Sequence, residues 1–238
     1  MRLGWFRPVH CKSIAAQETR ALLTARKLVQ VKLHDIELSL RGILRGFGLK
    51  VGPITPVRFE KRIKELVTGH PSLEVIAEGL LAARIALRRE LDRFEKQVRD
   101  AARCGTRARL LMSIPGVGAI VSLTFTAAID DPARFKSSKR VGAYLGLTPT
   151  KYQSGETNID GRISKIGDAS VRAALYESAH IILTKPLKGS TVLKSWAMKI
   201  ARRSGMKKAK VALARKLAVI MHRMLADGTS FRSAAAVV

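Results

Sequence analysis

Acidic residues are what this chain has least of. Among 238 residues, 18 are Asp or Glu against 44 Lys or Arg, a formal net charge of +26. From Ser178 to Ala226 no acidic residue occurs, while twelve Lys or Arg do. A solvated face mixes signs, so this excess points to a polyanionic partner whose phosphates release counterions when neutralised. Cysteine is nearly absent too: Cys11 and Cys104 stand far apart, without CxxC or Cys/His spacing. That argues against zinc and a disulfide framework, and suits a reducing compartment. The five histidines (10, 34, 70, 180 and 222) share no metal-like spacing. No apolar run reaches the ~18 residues of a membrane span, and Met1–Pro8 has no signal-peptide core. The expectation is a soluble cytoplasmic protein with no membrane partner. With 47% hydrophobic residues, the chain is not a disordered tail.

The pattern of apolar residues predicts a mainly α fold: a long helical hairpin or coiled coil followed by a helical domain containing a helix-hairpin-helix. From Leu22, the row Val29, Ile36, Ile43 runs beside Leu33, Leu40 and Phe47, and the glycines at 42, 46, 48 and 52 end the helix. A short helix from Val57 to Thr68 follows. Ser72 then reads as the cap of a second long helix with its seam at Leu73, Ile76, Leu80, Ala83, Leu87, Leu91, Phe94, Val98 and Ala101, and Arg84 off it. Such a seam needs a partner, from the first helix or from a second subunit. Beyond Cys104–Gly105, helices are expected at 117–129, 137–145, 168–183, 190–203 and 207–225. Residues 146–167, rich in Gly, Pro, Thr, Asn and Asp, read as loop or short strand.

Three features carry chemistry. Ile114-Pro115-Gly116-Val117-Gly118 sits between apolar helical segments. Its glycines permit positive φ, and the N–H groups opening the next helix can cradle a phosphate; an ordinary tight turn is the other reading. Gly116, Val117 and Gly118 are thus candidate backbone contacts. The acid-free segment contributes Arg202, Arg203, Lys207, Lys208 and Lys210, with Arg162 and Lys165 upstream, as further nucleic-acid contacts. Ser154-Gly155 is the third. On residue chemistry alone a serine before a glycine in a polar loop is a turn, since a serine hydroxyl needs activation by a base or metal. Asp130-Asp131-Pro132 reads as a helix stop, and Asp168 as a cap.

Taken together, Ile114-Pro115-Gly116-Val117-Gly118, Gly142-Ala143-Tyr144-Leu145-Gly146-Leu147-Thr148-Pro149, Ser154-Gly155 and Gly161-Arg162-Ile163-Ser164-Lys165-Ile166-Gly167-Asp168 resemble the C-terminal domain of the insertion-sequence one-ten family. These are the Piv-like transposases understood as bridge-RNA-guided recombinases. Gly4–His10 and Leu44–Gly48 match too, so the resemblance covers essentially the whole chain.

The resemblance implies DNA transposition by phosphodiester cleavage and strand transfer, with Ser154 as the catalytic nucleophile. It implies DNA and a structured guide RNA as partners, and a homo-oligomer. In the family an RNase H-like domain holds Mg²⁺ through four acidic residues. The segment like Leu3–His10 follows that domain's last acidic pair, so this chain is expected to be N-terminally shortened and to bind no metal or cofactor alone; Asp35 and Glu37 do not replace the missing set. The expected division is 1–50 as a remnant of the first domain and its following helix, 51–105 as a coiled-coil linker, and 106–238 as the serine-bearing domain. A non-catalytic nucleic-acid-binding module or regulator is the alternative. A helix-hairpin-helix glycosylase would want a catalytic Asp that Asp130-Asp131-Pro132 does not supply.

Overall fold

The computed structural model describes residues 9–232; the part of the Gly4–His10 motif before Val9 lies outside them. The fold is mainly helical, and packing divides it into two units. One comprises Leu22–Gln97; the other joins the described residues before Leu22 to those from Val98 onward.

In the Leu22–Gln97 unit, helix α1 (Ile14–Gly46) contributes its later turns, α2 spans Phe59–Val67, and α3 (Pro71–Cys104) contributes its earlier ones. Leu40 and Leu44 of α1 meet Phe59, Ile63 and Val67 of α2 and Leu73, Ala77 and Leu81 of α3 in one buried cluster. Arg26 bonds Glu95 at 2.7 Å and Glu37 bonds Arg84 at 2.8 Å, so α1 and α3 run antiparallel here.

Several expectations are corrected in this unit. The first helix begins at Ile14, upstream of the apolar row traced from Leu22, and passes through Gly42. It ends where Leu49 N–H donates to Leu44 and Gly48 N–H to Arg45, with Gly48 at φ 78°. That closing pattern needs a left-handed residue, which glycine adopts without a Cβ penalty. It also breaks the helical period, so Phe47 points outward, 63% exposed. Pro71, not Ser72, opens α3: the His70 carbonyl takes the Leu73 and Glu74 N–H groups, and proline suits a first helical position that has no N–H partner in the helix. The seam of α3 uses Ala77, Leu81 and Arg84, whereas Ile76 and Ala83 face outward. Arg84 can be buried because its guanidinium donates to Glu37 and to the Pro56 carbonyl, 4.8 Å from the Phe59 ring.

The second unit is built around α9 (Met206–Asp227), which packs against α7 (Ala169–Thr184), α8 (Thr191–Ser204), α6 (Lys139–Tyr144) and α4 (Thr106–Leu111). Leu213, Leu217 and Met221 recur at four-residue spacing on its buried side. Helix α5 (Ala119–Ile129) is apolar on nearly every side and correspondingly packed, with Phe125, Ala128 and Ile129 fully inside. Asp131 caps a single 3-10 turn at Pro132–Arg134 after α5 stops. Strands β1 (Pro149–Ser154) and β2 (Thr157–Ile163) pair antiparallel as the only sheet among the described residues. They occupy the stretch read as loop or short strand.

Candidate nucleic-acid interface

The turn between α4 and α5 is held from below. Ile114 and Val117 are buried, and Val117 N–H donates to the Ile114 carbonyl at 3.0 Å. With Pro115 second and Gly116 third at φ 85°, this is a type II turn, which demands positive φ at its third residue. A Cβ on Gly116 would lie 2.8 Å from Ile182 Cγ1, so the glycine is also required by packing. Val117 therefore has neither side chain nor N–H to offer a ligand. Gly118 differs: it is exposed, nothing lies within 4 Å of its would-be Cβ, and it precedes the first N–H groups of α5, which lack intrahelical acceptors.

The hairpin carries Ser154 at its tip. Ser154 pairs with Thr157 across the two-residue turn Gly155-Glu156, with Gly155 at φ 54°. Glycine at the first central position suits the two-residue hairpin turns that match strand twist. Ser154, Arg162 and Lys165 are all exposed.

The hairpin's root is clamped by backbone. Ser164 N–H donates to Thr148 and Lys165 N–H to Gly146, the latter donor in a left-handed conformation at φ 56°. A Cβ on Gly146 would strike the Ile166 backbone, and one on Gly167 the Tyr144 carbonyl. Arg172 adds bonds to the carbonyls of Leu145, Ile166 and Gly167. Much of the glycine-bearing motif from Gly161 to Asp168 thus serves to seat the hairpin. Only these close approaches reveal that role.

Helices α8 and α9 are separated by Gly205 alone, at φ 86°. Arg202 and Arg203 close α8, and Lys207 and Lys208 open α9; all four are exposed. Cations in the first turn of a helix oppose its dipole, at about 0.3–1 kcal/mol each. Lys207 and Lys208 are therefore placed against stability, as a phosphate-facing surface would require. Lys210 instead lies 5.6 Å from the Tyr176 ring, and Lys216 lies 4.7 Å from Trp196, where burial lowers its ammonium pKa.

Two carboxylates that the sequence marks as stop and cap also anchor the start of α1. Asp130 accepts from Ser13 N–H at 2.8 Å, Ser13 Oγ at 2.7 Å and His10 Nε2 at 2.9 Å. The Ser13 hydroxyl foremost, opposed by burial and helped by the Ser13 N–H and His10, holds its pKa down at about 2. Asp168 caps α7 through Ser170 and Val171 and pairs with Arg20. Burial pushes its pKa up, but Arg20 and the cap outweigh this and leave it lowered. Residues 10–20 are thus tied to the serine-bearing unit.

A pH dependence follows from Asp130. Its folded-state pKa lies below the ordinary value of about 3.9, so its stabilisation is complete above pH 4 and is lost as pH falls through about 2. Asp130→Asn, which tolerates the positive φ of 60° at this position, should cost about 1–2 kcal/mol at pH 7. Melting curves at pH 7 and pH 3 should lie closer together in this variant than in the wild type; an unchanged gap would show that the carboxylate stabilises nothing.

No group of three or more His, Cys, Asp or Glu among the described residues is arranged to hold a metal. His222 is buried, its ring nitrogens 2.9 Å from Ser138 Oγ and 3.1 Å from the Pro132 carbonyl. Among the described residues no helix is long and apolar enough to cross a membrane.

Comparison with known proteins finds similarity to transposases. Residues 108–192, from the end of α4 through the turn, the hairpin and α7, match the model of the transposase family IS116/IS110/IS902. The chain is 29% identical over 238 residues to the transposase for insertion sequence element IS1111A of Coxiella burnetii, across 95% of this chain and 64% of that protein. It is 28% identical over 142 residues to the transposase for insertion sequence element IS1328 of Yersinia enterocolitica, across 60% of this chain and 42% of that one. Against the pilin gene-inverting protein of Moraxella bovis it is 36% identical over 77 residues, 32% of this chain and 24% of that protein. The chain therefore spans less than two thirds of the length of these relatives. The similarity to the IS116/IS110/IS902 family of transposases is thus concentrated in the serine-bearing unit.

Proposed function

We propose that this chain is the strand-transfer portion of a DNA transposase whose nucleophile is Ser154. The observation that carries this is the exposed serine at the tip of a rigidly seated hairpin inside the family segment, with the exposed Arg162 and Lys165 at the hairpin's root. In the reaction, Ser154 Oγ bonds to phosphorus, the strand's own ester oxygen leaves, and the hydroxyl proton passes to a base. The energy of the cleaved bond is kept in a phosphoserine link, from which a new strand can be joined. The relative named for gene inversion supports site-specific recombination as the outcome.

The turn at Pro115–Gly118 acts as a helix-hairpin-helix grip, with Gly118 and the opening N–H groups of α5 against a backbone phosphate. Arg202, Arg203, Lys207 and Lys208 hold a further stretch of DNA or of a structured guide RNA. The antiparallel long helices serve as a coiled-coil linker, and the outward Val75, Ile76 and Ile85 of α3 suit a homo-oligomer. Magnesium belongs to this chemistry in the family, but the residues described do not fit a magnesium site. The carboxylates at Asp130 and Asp168 are engaged in structural bonds, which favours ligands from another domain. The same observation favours a second reading of this portion alone as a nucleic-acid-binding module.

A denaturing gel of labelled target DNA separates the two. Joined to the acidic domain of a full-length relative, with Mg²⁺ and guide RNA, the chain should form a covalent protein–DNA adduct. Ser154→Ala should abolish the adduct and leave binding intact, since removing an exposed hydroxyl costs little folding energy. An adduct that survives the substitution would move the nucleophile elsewhere; binding without any adduct would favour the module.

A further inference from the structure

The hairpin bears two large side chains that its fold does not use. Tyr152 is 65% exposed and Ile159 58% exposed, outside the buried core that the helices of the unit share. Register places them opposite each other, as it places Ser154 opposite Thr157. Because strand side chains alternate, Tyr152, Ser154, Thr157 and Ile159 share one face, while Lys151, Gln153 and Asn158 share the other. The ring is steadied by the absence of a side chain at Gly161, where a Cβ would lie 3.0 Å from Tyr152 Cε2. One face of the hairpin thus presents an aromatic ring, an aliphatic neighbour and the candidate nucleophile in line.

We propose that Tyr152, backed by Ile159, is a stacking platform for an unpaired nucleobase next to the phosphate addressed by Ser154. This rests on the reading of the hairpin as a nucleic-acid element. Side chains two residues apart on a strand stand about 6.6 Å from one another, close to the phosphate-to-phosphate step of an unstacked strand. A ring at Tyr152 therefore meets the base one step from a phosphate at Ser154. Arg162 and Lys165 are exposed at the root of the hairpin in a chain of net charge +26, which favours a polyanion over an apolar protein surface as the occupant. A base can reach the ring only when it is out of its duplex, so the preferred substrate is single-stranded or locally opened. Tyr152 is a positioning residue: it holds the strand, and the hydroxyl two residues away meets the phosphate.

The test uses the full chain with a thymidine oligonucleotide carrying one 2-aminopurine, single-stranded and as a duplex. The wild type should quench the 2-aminopurine fluorescence of the single strand. Tyr152→Ala should weaken single-strand binding about tenfold and relieve the quench, with the salt dependence unchanged because no charge is removed. Tyr152→Phe should restore both. Tyr152→Leu, which still covers Gly161 but has no π face, should bind weakly without quenching. The quench is read on uncleaved DNA and needs no adduct, so a wild type that quenches yet forms no adduct removes the nucleophile and leaves the platform, and the converse removes only the platform. Wild-type quenching by Tyr152→Leu, or an equal loss on duplex and single strand in Tyr152→Ala, would overturn the platform; the latter would leave the face as a protein contact or a general structural element.

Discussion

Raising salt from about 50 to about 200 mM should weaken duplex DNA binding by this chain about a thousandfold. The expectation follows from six exposed cations on the proposed surface: Arg162, Lys165, Arg202, Arg203, Lys207 and Lys208. Each phosphate neutralised releases condensed counterions, so log K falls with log salt at about −0.9 per contact, or roughly −5 for six. Replacing Arg202, Arg203, Lys207 and Lys208 together with Gln should flatten the slope to about −2 and leave only a tenfold or so loss over the same range. Folding should survive, since all four are exposed, and removing Lys207 and Lys208 relieves an unfavourable interaction with the α9 dipole. Lys210 makes a useful control: its ammonium already lies over Tyr176, so its loss should change the slope little. Fluorescence anisotropy over a salt series measures all three. A slope unaffected by the quadruple substitution would show that the turn between α8 and α9 does not meet phosphate.

The longer helices of the serine-bearing unit were legible in the sequence because each has an apolar run or side and a distinct stop. Asp168 caps α7, and Asp130-Asp131-Pro132 ends α5, for reasons local to those residues. The α3 seam was ambiguous for a physical reason: apolar residues at 75, 76, 79, 82 and 83 make a second stripe beside the one at 73, 77, 80 and 81. Spacing cannot choose between two such stripes when the buried one includes an arginine. Arg84 belongs inside only because Glu37, forty-seven positions away, and the Pro56 carbonyl receive it. For the candidate site, the sequence located the turn, the basic helices and the serine as separate pieces. That Gly146 and Gly167 are close backbone contacts and that Asp130 and Asp168 hold residues 10–20 are matters of long-range pairing. No local pattern encodes them.

The two glycines of the turn should behave oppositely, although sequence reading treats them alike. Gly116→Val forces a β-branched residue into φ 85° and drives its Cβ against Ile182 Cγ1, with Leu187 3.4 Å away. The left-handed conformation costs about 1–2 kcal/mol, and overpacking adds about 1–3 kcal/mol. The sum is a large part of a typical 5–15 kcal/mol stability, so Tm should fall by about 10 °C. Gly116, a candidate backbone contact on the sequence, is thus also held by packing against α7. Gly118 has φ −99° and open space around its Cβ position. Gly118→Val should therefore melt only a few degrees below the wild type, at a cost of about 1 kcal/mol, because valine is a poorer N-cap than glycine but meets no steric clash here. If the opening N–H groups of α5 grip a phosphate, the new side chain stands in its path, and binding should weaken about tenfold by steric exclusion. Thermal melts and anisotropy on the same samples separate the two effects. A Gly116→Val protein that melts like the wild type would contradict the packing of the turn on α7. A Gly118→Val protein that is folded and binds undiminished would reduce the turn to a connection between two helices, leaving the hairpin and the basic helices as the whole of the interface.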